Sequence, residues 1–206
     1  MFLSKQDILA RSAQLFPTQA HFDPKLVSEV SYDLGVGDEV FLSENRIPNR
    51  LDKESPYVVL PPGQFALIKT FEEIFIPPDL IGLLSIKSKY KFKGLINISG
   101  FHVDPTYKGY LIFSVQNVGP NEIRLEYKRP TFMLFLAELK THAVEYRQRG
   151  YDRIPLEFMD QLGGPSVNLA TLKKELDRLS LAVRVYSSLV VALLAALVAT
   201  ILTRGH

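Results

Sequence analysis

The sequence predicts a mainly β domain followed by a helical stalk and one transmembrane helix. Three observations carry this reading. Between about residues 28 and 140, short β-rich runs alternate with turn signals roughly every ten residues, as in a sandwich or barrel. No 10–15-residue helical pattern separates those runs, which disfavours a parallel α/β sheet. Near the C-terminus, Val185 to Thr203 form 19 consecutive residues without a formal charge.

Taken in chain order, the first element is a short amphipathic helix starting near Ser4, with Ile8, Leu9 and Leu15 turned inward. Asp7 and Arg11 interrupt its apolar pattern, so it does not read as a signal peptide. The β-rich runs follow: YVVL before Pro61-Pro62-Gly63, FALIKTF, EIFI before Pro77-Pro78-Asp79, LIGLLSI, YLIFSVQNV before Gly119-Pro120-Asn121, EIRLEY and TFMLFLAEL. Gly163, Gly164 and Pro165 mark a hinge. Beyond it, Leu169, Leu172, Leu176, Leu179 and Val183 are spaced 3, 4, 3 and 4 residues apart, the alternation of a coiled coil. A single amphipathic helix lying on the domain has the same pattern over so few heptads. The uncharged run is just long enough to cross a bilayer, which takes about 20 residues. Arg184 and Arg204 bracket it. The alternative, a buried core helix, has no obvious place in a small β domain. The expected organisation is a β domain over 1–150, a hinge over 151–168, a stalk over 169–184 and a membrane helix over 185–203. Lys173, Lys174, Arg178 and Arg184 stand against Arg204 alone, so the positive-inside bias keeps the domain cytoplasmic.

Composition excludes several functions. A net charge of +2 argues against a nucleic-acid partner. The absence of cysteine rules out disulfides and thiolate metal sites. His21, His102, His142 and His206 lie too far apart for a short-spaced metal motif. Common phosphate-loop, dinucleotide, nucleophile-elbow and zinc-helix motifs are missing. Chemistry must then come from polar residues at strand ends. The richest stretch is Ser85 to Gly94, whose four alternating lysines with Ser88 suit an anionic phosphate group, although on its own the pattern favours a lysine-protected edge strand. The second is Asp104-Pro105-Thr106-Tyr107-Lys108-Gly109, a carboxylate beside an aromatic ring in what is otherwise an ordinary hairpin.

In order, these stretches resemble the dCTP deaminase and dUTPase superfamily over about residues 1–140. Leu3-Ser4-Lys5-Gln6-Asp7-Ile8 is similar to the opening of dCTP deaminases, and Ser31-Tyr32-Asp33-Leu34-Gly35 to the first motif. Pro62-Gly63-Gln64-Phe65, Thr70-Phe71-Glu72 and Ile76-Pro77-Pro78-Asp79-Leu80 resemble the run before the phosphate motif, where Lys87-Ser88 stands for Arg-Ser. Val103 to Gly109 resembles the substrate hairpin, and Ser114-Val115-Gln116-Asn117 the strand after it. The resemblance implies a distorted β-barrel or jelly roll of the dUTPase type, a homotrimer with sites between subunits, and a deoxynucleoside triphosphate ligand, dUTP or dCTP. It also implies magnesium held by the triphosphate more than by side chains. Lys87, Ser88, Asp33, Tyr107 and Gln116 become the expected nucleotide-binding residues, with Tyr107 against the deoxyribose. Asp104 becomes the catalytic residue of an active diphosphatase, orienting the attacking water.

The departures are equally specific. Counting from Asp104, Ser114 stands where dCTP deaminases carry the water-activating glutamate, and a serine is no carboxylate base. Met133 takes the place of the fourth-motif glutamine and Phe92 that of the second phosphate-motif arginine. The Gly-rich closing arm of dUTPases is replaced by hinge, stalk and anchor, with Arg147, Arg149 and Tyr151 the candidates for a substitute lid. These losses lead to an expectation of nucleotide binding without deamination at a lipid bilayer. The alternatives are a membrane-bound dUTP diphosphatase and a trimeric module that organises a membrane assembly.

Overall fold

In the computed structural model the described residues are 1–45, 47–143, 150–162 and 169–204. The hinge glycines and Arg147 and Arg149 lie outside them. The chain divides into two units, Met1–Ser166 and Val167–His206.

The first unit opens with helices α1 (Lys5–Ala10) and α2 (Ser12–Leu15). Ser4 caps α1 through a reciprocal box with Asp7, which satisfies two amide donors that a helix start leaves free. Ile8 and Leu15 are buried and Leu9 packs against the same core, as the apolar spacing requires. The strands are β1 (Ser31–Leu42), β2 (Asn49–Arg50), β3 (Tyr57–Leu60), β4 (Phe65–Phe75), β5 (Leu80–Ile86), β6 (Leu95–Asn97), β7 (His102–Val103), β8 (Lys108–Asn117), β9 (Ile123–Glu126) and β10 (Pro130–Glu138). One antiparallel sheet runs β6-β8-β4-β1-β10-β5-β7 with β2 on β1, and β3 pairs with β9 in a separate ribbon. The sheet curls until β6 meets β5, giving the mainly β, jelly-roll-like domain the sequence implies. Its alternating strands point Tyr32, Leu34, Ile68, Phe113, Phe132 and Leu134 into one core, where Phe113 and Phe132 stack at 3.8 Å.

Two turns follow directly from sequence. Pro62 and Gly63 fill the centre of a turn closed by Gln64 N–H to the Pro61 carbonyl at 3.0 Å. Gly63 there has φ +83°, a conformation glycine adopts without steric cost. The Pro77-Pro78-Asp79 turn closes in the same way, Leu80 N–H donating to the Pro77 carbonyl at 3.0 Å.

Two expectations change. FALIKTF and EIFI form a single strand, β4, with an irregularity in its pairing to β8 between Lys69 and Glu73. Its interior Glu72 is buried because its carboxylate accepts the Gly35 amide at 2.9 Å. The lysine stretch is not an edge strand. β5 ends at Ile86, Lys87 N–H donates to the Thr131 carbonyl, and Ser88–Lys91 form the helical turn α3.

Residues 150–162, placed by sequence at the domain border and in the hinge, fold onto the first unit. Gly150 and Tyr151 pair with the start of β8, through Gly150 N–H to Lys108 and Tyr110 N–H to Tyr151 at 2.8 and 2.9 Å. Helix α4 (Leu156–Leu162) follows, and Met159 joins Ile154, Phe41 and Leu67 in a second apolar cluster.

The second unit is helix α5 (Leu169–Arg204), 36 residues in one piece, with no break between the stretches read as stalk and membrane helix. At 1.5 Å per residue it is roughly 54 Å long. Residues Leu172–Leu197 are long and apolar enough to cross a membrane, and that window has no buried residue.

Candidate functional site

The first group of polar residues sits where β1, β10 and β5 run side by side. Register places Asp33 opposite Met133 and Met133 opposite Ser85, so one row across three strands carries Asp33, Met133 and Ser85. Lys87 and Lys91, at the start and end of α3, reach over that row. Lys87 pairs with the Asp33 carboxylate through Oδ2. Lys91, one turn further on, donates to Ser85 Oγ at 2.8 Å. Asp33 Oδ1 is buried and has no hydrogen-bond partner among the described residues. A buried carboxylate oxygen left bare is costly, so it marks a place where a further donor or a hydrated cation is favourable. Ser88 is exposed at the start of α3. Three of the expected binding residues, Asp33, Lys87 and Ser88, therefore come together.

A second group is the hairpin. Asp104 is exposed, with its Oδ1 3.4 Å from His102 Nε2. Thr106 has φ +69°, which strains a β-branched residue, and strain of this kind gathers at ligand-binding turns. Tyr107, the residue expected against the deoxyribose, has its ring among the buried core residues, and its hydroxyl donates to the Tyr110 carbonyl at 2.5 Å. Burial pushes that hydroxyl's pKa up. The register of β5 and β7 puts Asp104 about seven residues along β5 from Ser88, roughly 20 Å at strand rise. One chain alone does not bring the hairpin to the lysine-rich turn.

The third group lies on β8. Ser114 and Gln116 alternate onto one face. Ser114 N–H donates to Ser99 Oγ at 3.3 Å, and Ser99 in turn donates to Asn97 Oδ1 at 2.6 Å. Gln116 Nε2 donates to the Gly63 carbonyl at 3.3 Å. Among the described residues no carboxylate hydrogen-bonds to this cluster. Among the described residues no hydrogen bond or ion pair joins Ser114 or Gln116 to Asp33, Lys87 or Asp104. Nor do the described residues hold a group of three or more His, Asp or Glu side chains fit to bind a metal. Magnesium at the Asp33 row would rest on phosphate oxygens, water and the Asp33 carboxylate.

A family model described as dCTP deaminase-like matches residues 2–138. The chain belongs to that family. It is 30% identical over 122 residues to a dCTP deaminase of Pyrococcus abyssi, covering 59% of this chain and 77% of that one. It is 33% identical over 106 residues to a dCTP deaminase of Pyrococcus horikoshii, covering 52% of this chain and 65% of that one, under two thirds of its length. The crystal structure of 2′-deoxycytidine 5′-triphosphate deaminase from Agrobacterium tumefaciens superposes with a TM-score of 0.55 at 15% identity. That match covers 66% of this chain and 48% of the other, and it shows a shared fold. Residues 139–206 lie outside the dCTP deaminase-like match.

Sequence reasoning missed three features around this frame. Arg11 grips Asp79 with both guanidinium nitrogens, at 2.8 and 2.9 Å, tying α1 to the turn before β5. Glu72 is buried, and loss of hydration raises its pKa to about 7. Lys69, also buried, pairs with Asp38 at 2.7 Å and donates to the Asp152 carbonyl at 3.3 Å, while buried Glu39 accepts the Ile154 amide at 3.2 Å. These last bonds fix the segment after the family match to β1 and β4. The apolar spacing of Ile154, Phe158, Met159 and Leu162 around Pro155 was the available signal for it. Tyr151, a lid candidate, is held in this docked segment against Phe158.

Proposed function

We propose that this dCTP deaminase-like chain binds a deoxynucleoside triphosphate without deaminating it, as a homotrimer anchored to a membrane by α5. The observation that carries the reading is the composition of the β8 cluster. Hydrolytic deamination needs a base to take a proton from the attacking water. Ser114 stands where the family resemblance expects that base, with Ser99 and Asn97 as its neighbours and no carboxylate among them. Binding is supported by Asp33, Lys87 and Ser88, where a phosphate would draw Lys87 from its carboxylate and receive charge-assisted bonds. Asp33 Oδ1 and the phosphate oxygens fit a hydrated magnesium ion, which would neutralise charge there.

The trimer reading rests on the family resemblance and on two features of the single chain. The hairpin and phosphate-binding turn lie too far apart to share one ligand within one subunit. Phe92, Ile96, Ile98, Phe101 and Val118, on and beside edge strand β6, are all exposed. The membrane reading rests on the apolar Leu172–Leu197 segment, and the lysines and arginines at its start favour a cytoplasmic domain. A second reading, diphosphate release from dUTP, is favoured by exposed Asp104 beside the strained Thr106.

The test is incubation of the purified full chain with dCTP or dUTP and magnesium, read by chromatography, together with nucleotide-dependent thermal shift. A raised melting temperature with intact nucleotide is expected, and it should be lost in Lys87→Ala. Conversion of dCTP to dUTP would refute the proposal. Formation of dUMP from dUTP, abolished by Asp104→Asn, would install the second reading. Unchanged stability with every nucleotide would leave the trimeric assembly role.

A further inference from the structure

The lysines of α3 divide between two faces. Lys87 and Lys91 lie over the Asp33–Ser85 row. Lys89 and Lys93, also one turn apart, lie on the other side, where a concavity of about 270 Å³ opens between α3 and the β3–β9 ribbon. Lys89, Lys93, Arg124 and Arg129 line it with Tyr57, Tyr90 and Glu126. Glu126 is the one carboxylate, and Arg129 takes it at 2.9 Å. Among the described residues Lys89, Lys93 and Arg124 form no ion pair. They are held against aromatic rings instead. Lys89 and Lys93 lie 4.8 and 6.0 Å from the centre of the Tyr90 ring, and the Arg124 guanidinium lies 5.6 Å from that of Tyr57. Tyr90 is itself buried, so the platform for both lysines is fixed.

Three uncompensated cations around one small concavity repel each other, and an anion with more than one charge removes that repulsion at a single stroke. An arginine lying against a ring offers a planar fork matched to phosphate oxygens, and lysines add point charges. The cations are gathered in one place and do not form a track, and the chain's net charge is only +2, which excludes an extended nucleic acid. We propose that this concavity is a second anion site, which takes a phosphate-bearing group of at least two charges. It is separate from the nucleotide site proposed above and does not depend on it.

The probe is inorganic pyrophosphate, titrated calorimetrically into the full chain in detergent micelles at low ionic strength. Wild type should bind, and Lys93→Gln/Arg124→Gln should weaken binding by about tenfold or more, the loss of two charge-assisted contacts. Lys25→Gln, an exposed lysine outside both sites, should leave this binding within about twofold. Because the substituted side chains are exposed and mutually repelling, the double variant should melt no lower than wild type without ligand, which separates lost binding from lost folding. Failure of wild type to bind, or loss through Lys87→Ala with the double variant unaffected, would overturn the proposal. The source of the phosphate is read by repeating the titration in nanodiscs. If phosphatidic acid weakens pyrophosphate binding relative to pure phosphatidylcholine, and the double variant abolishes the difference, the site takes a lipid headgroup. Equal binding in both discs assigns it to a free phosphate compound.

Discussion

The β domain and α5 are built from the same apolar residue types and treat them in opposite ways. In the domain, Leu34, Ile68 and Phe113 are wholly buried against one another, and polar strays such as Glu72 have partners. On α5, Val191 is 65% exposed, Leu193 70% and Tyr186 69%. The helix meets its polar needs internally: Ser187 and Ser188 return their hydroxyls to the carbonyls of Arg184 and Val185 at 2.9 and 2.8 Å. A surface that is apolar all round, with its hydroxyls bonded to its own backbone, is suited to a solvent other than water. The first unit buries most of its apolar side chains within itself, whereas the apolar run of α5 is exposed along its length.

The largest expected effect tests that contrast directly. Leu189→Arg with Leu193→Arg places two charges mid-way along the uncharged run. At about 3 kcal/mol each for insertion, the pair costs roughly 6 kcal/mol. The protein should leave the carbonate-washed membrane fraction, while the domain's melting temperature stays unchanged. Retention in the membrane would break the comparison, since α5 would then be held by something other than its own hydrophobicity.

The next effect concerns the domain's buried acid. Glu72 titrates near pH 7 in the fold, against about 4.5 in an unfolded chain. A raised carboxyl pKa means that folding favours the protonated form. Stability is therefore full below about pH 4.5 and is lost as pH rises toward 7, by roughly 3 kcal/mol. Glu72→Gln keeps an oxygen for the Gly35 amide and never ionises. Urea unfolding of the variant should show no decline across this window and a gain over wild type at pH 8. An identical decline in both proteins would assign it to other groups.

What the sequence made legible follows from how local each signal was. YVVL and LIGLLSI are β3 and β5 to the residue, because turn-forming prolines bound them and an apolar pattern fills them. The start of α1 at Ser4 was readable for the same reason: cap and box lie within four residues. β4 was split in two because Glu72 and Glu73 look like a break, and only the fold supplies Gly35 and Thr18 as their partners. The pairing of Lys87 with Asp33 spans 54 residues, and nothing near either residue announces it. The burial of the Tyr107 ring comes from packing, which its motif does not announce. The lysine-rich turn was thus legible as composition, and its division into two basic faces only as geometry.

The smallest effect sharpens the contrast from the domain's surface. Arg11 and Asp79 form a two-pronged ion pair across 68 residues of sequence, with side chains 27% and 31% exposed. Partial exposure screens the pair, so the Coulomb gain is modest, but the paired geometry and the closure of α1 onto the turn before β5 raise it above a typical surface contact. Asp79→Asn should cost about 1 kcal/mol at pH 7. The Arg11 hydrogen bonds hold the Asp79 carboxyl below its ordinary pKa. A depressed pKa stabilises the fold above the unfolded value and is lost as pH falls through the folded one, so the deficit should shrink below about pH 4. This is the reverse of the Glu72 trend, and the two variants measured on one pH series should diverge in opposite directions. A double-mutant cycle with Arg11→Met isolates the pair from the helix packing around it. If Asp79→Asn loses as much at pH 2.5 as at pH 7, its effect comes from the turn's hydrogen bonding, and the N-terminal helices are held by their apolar face alone.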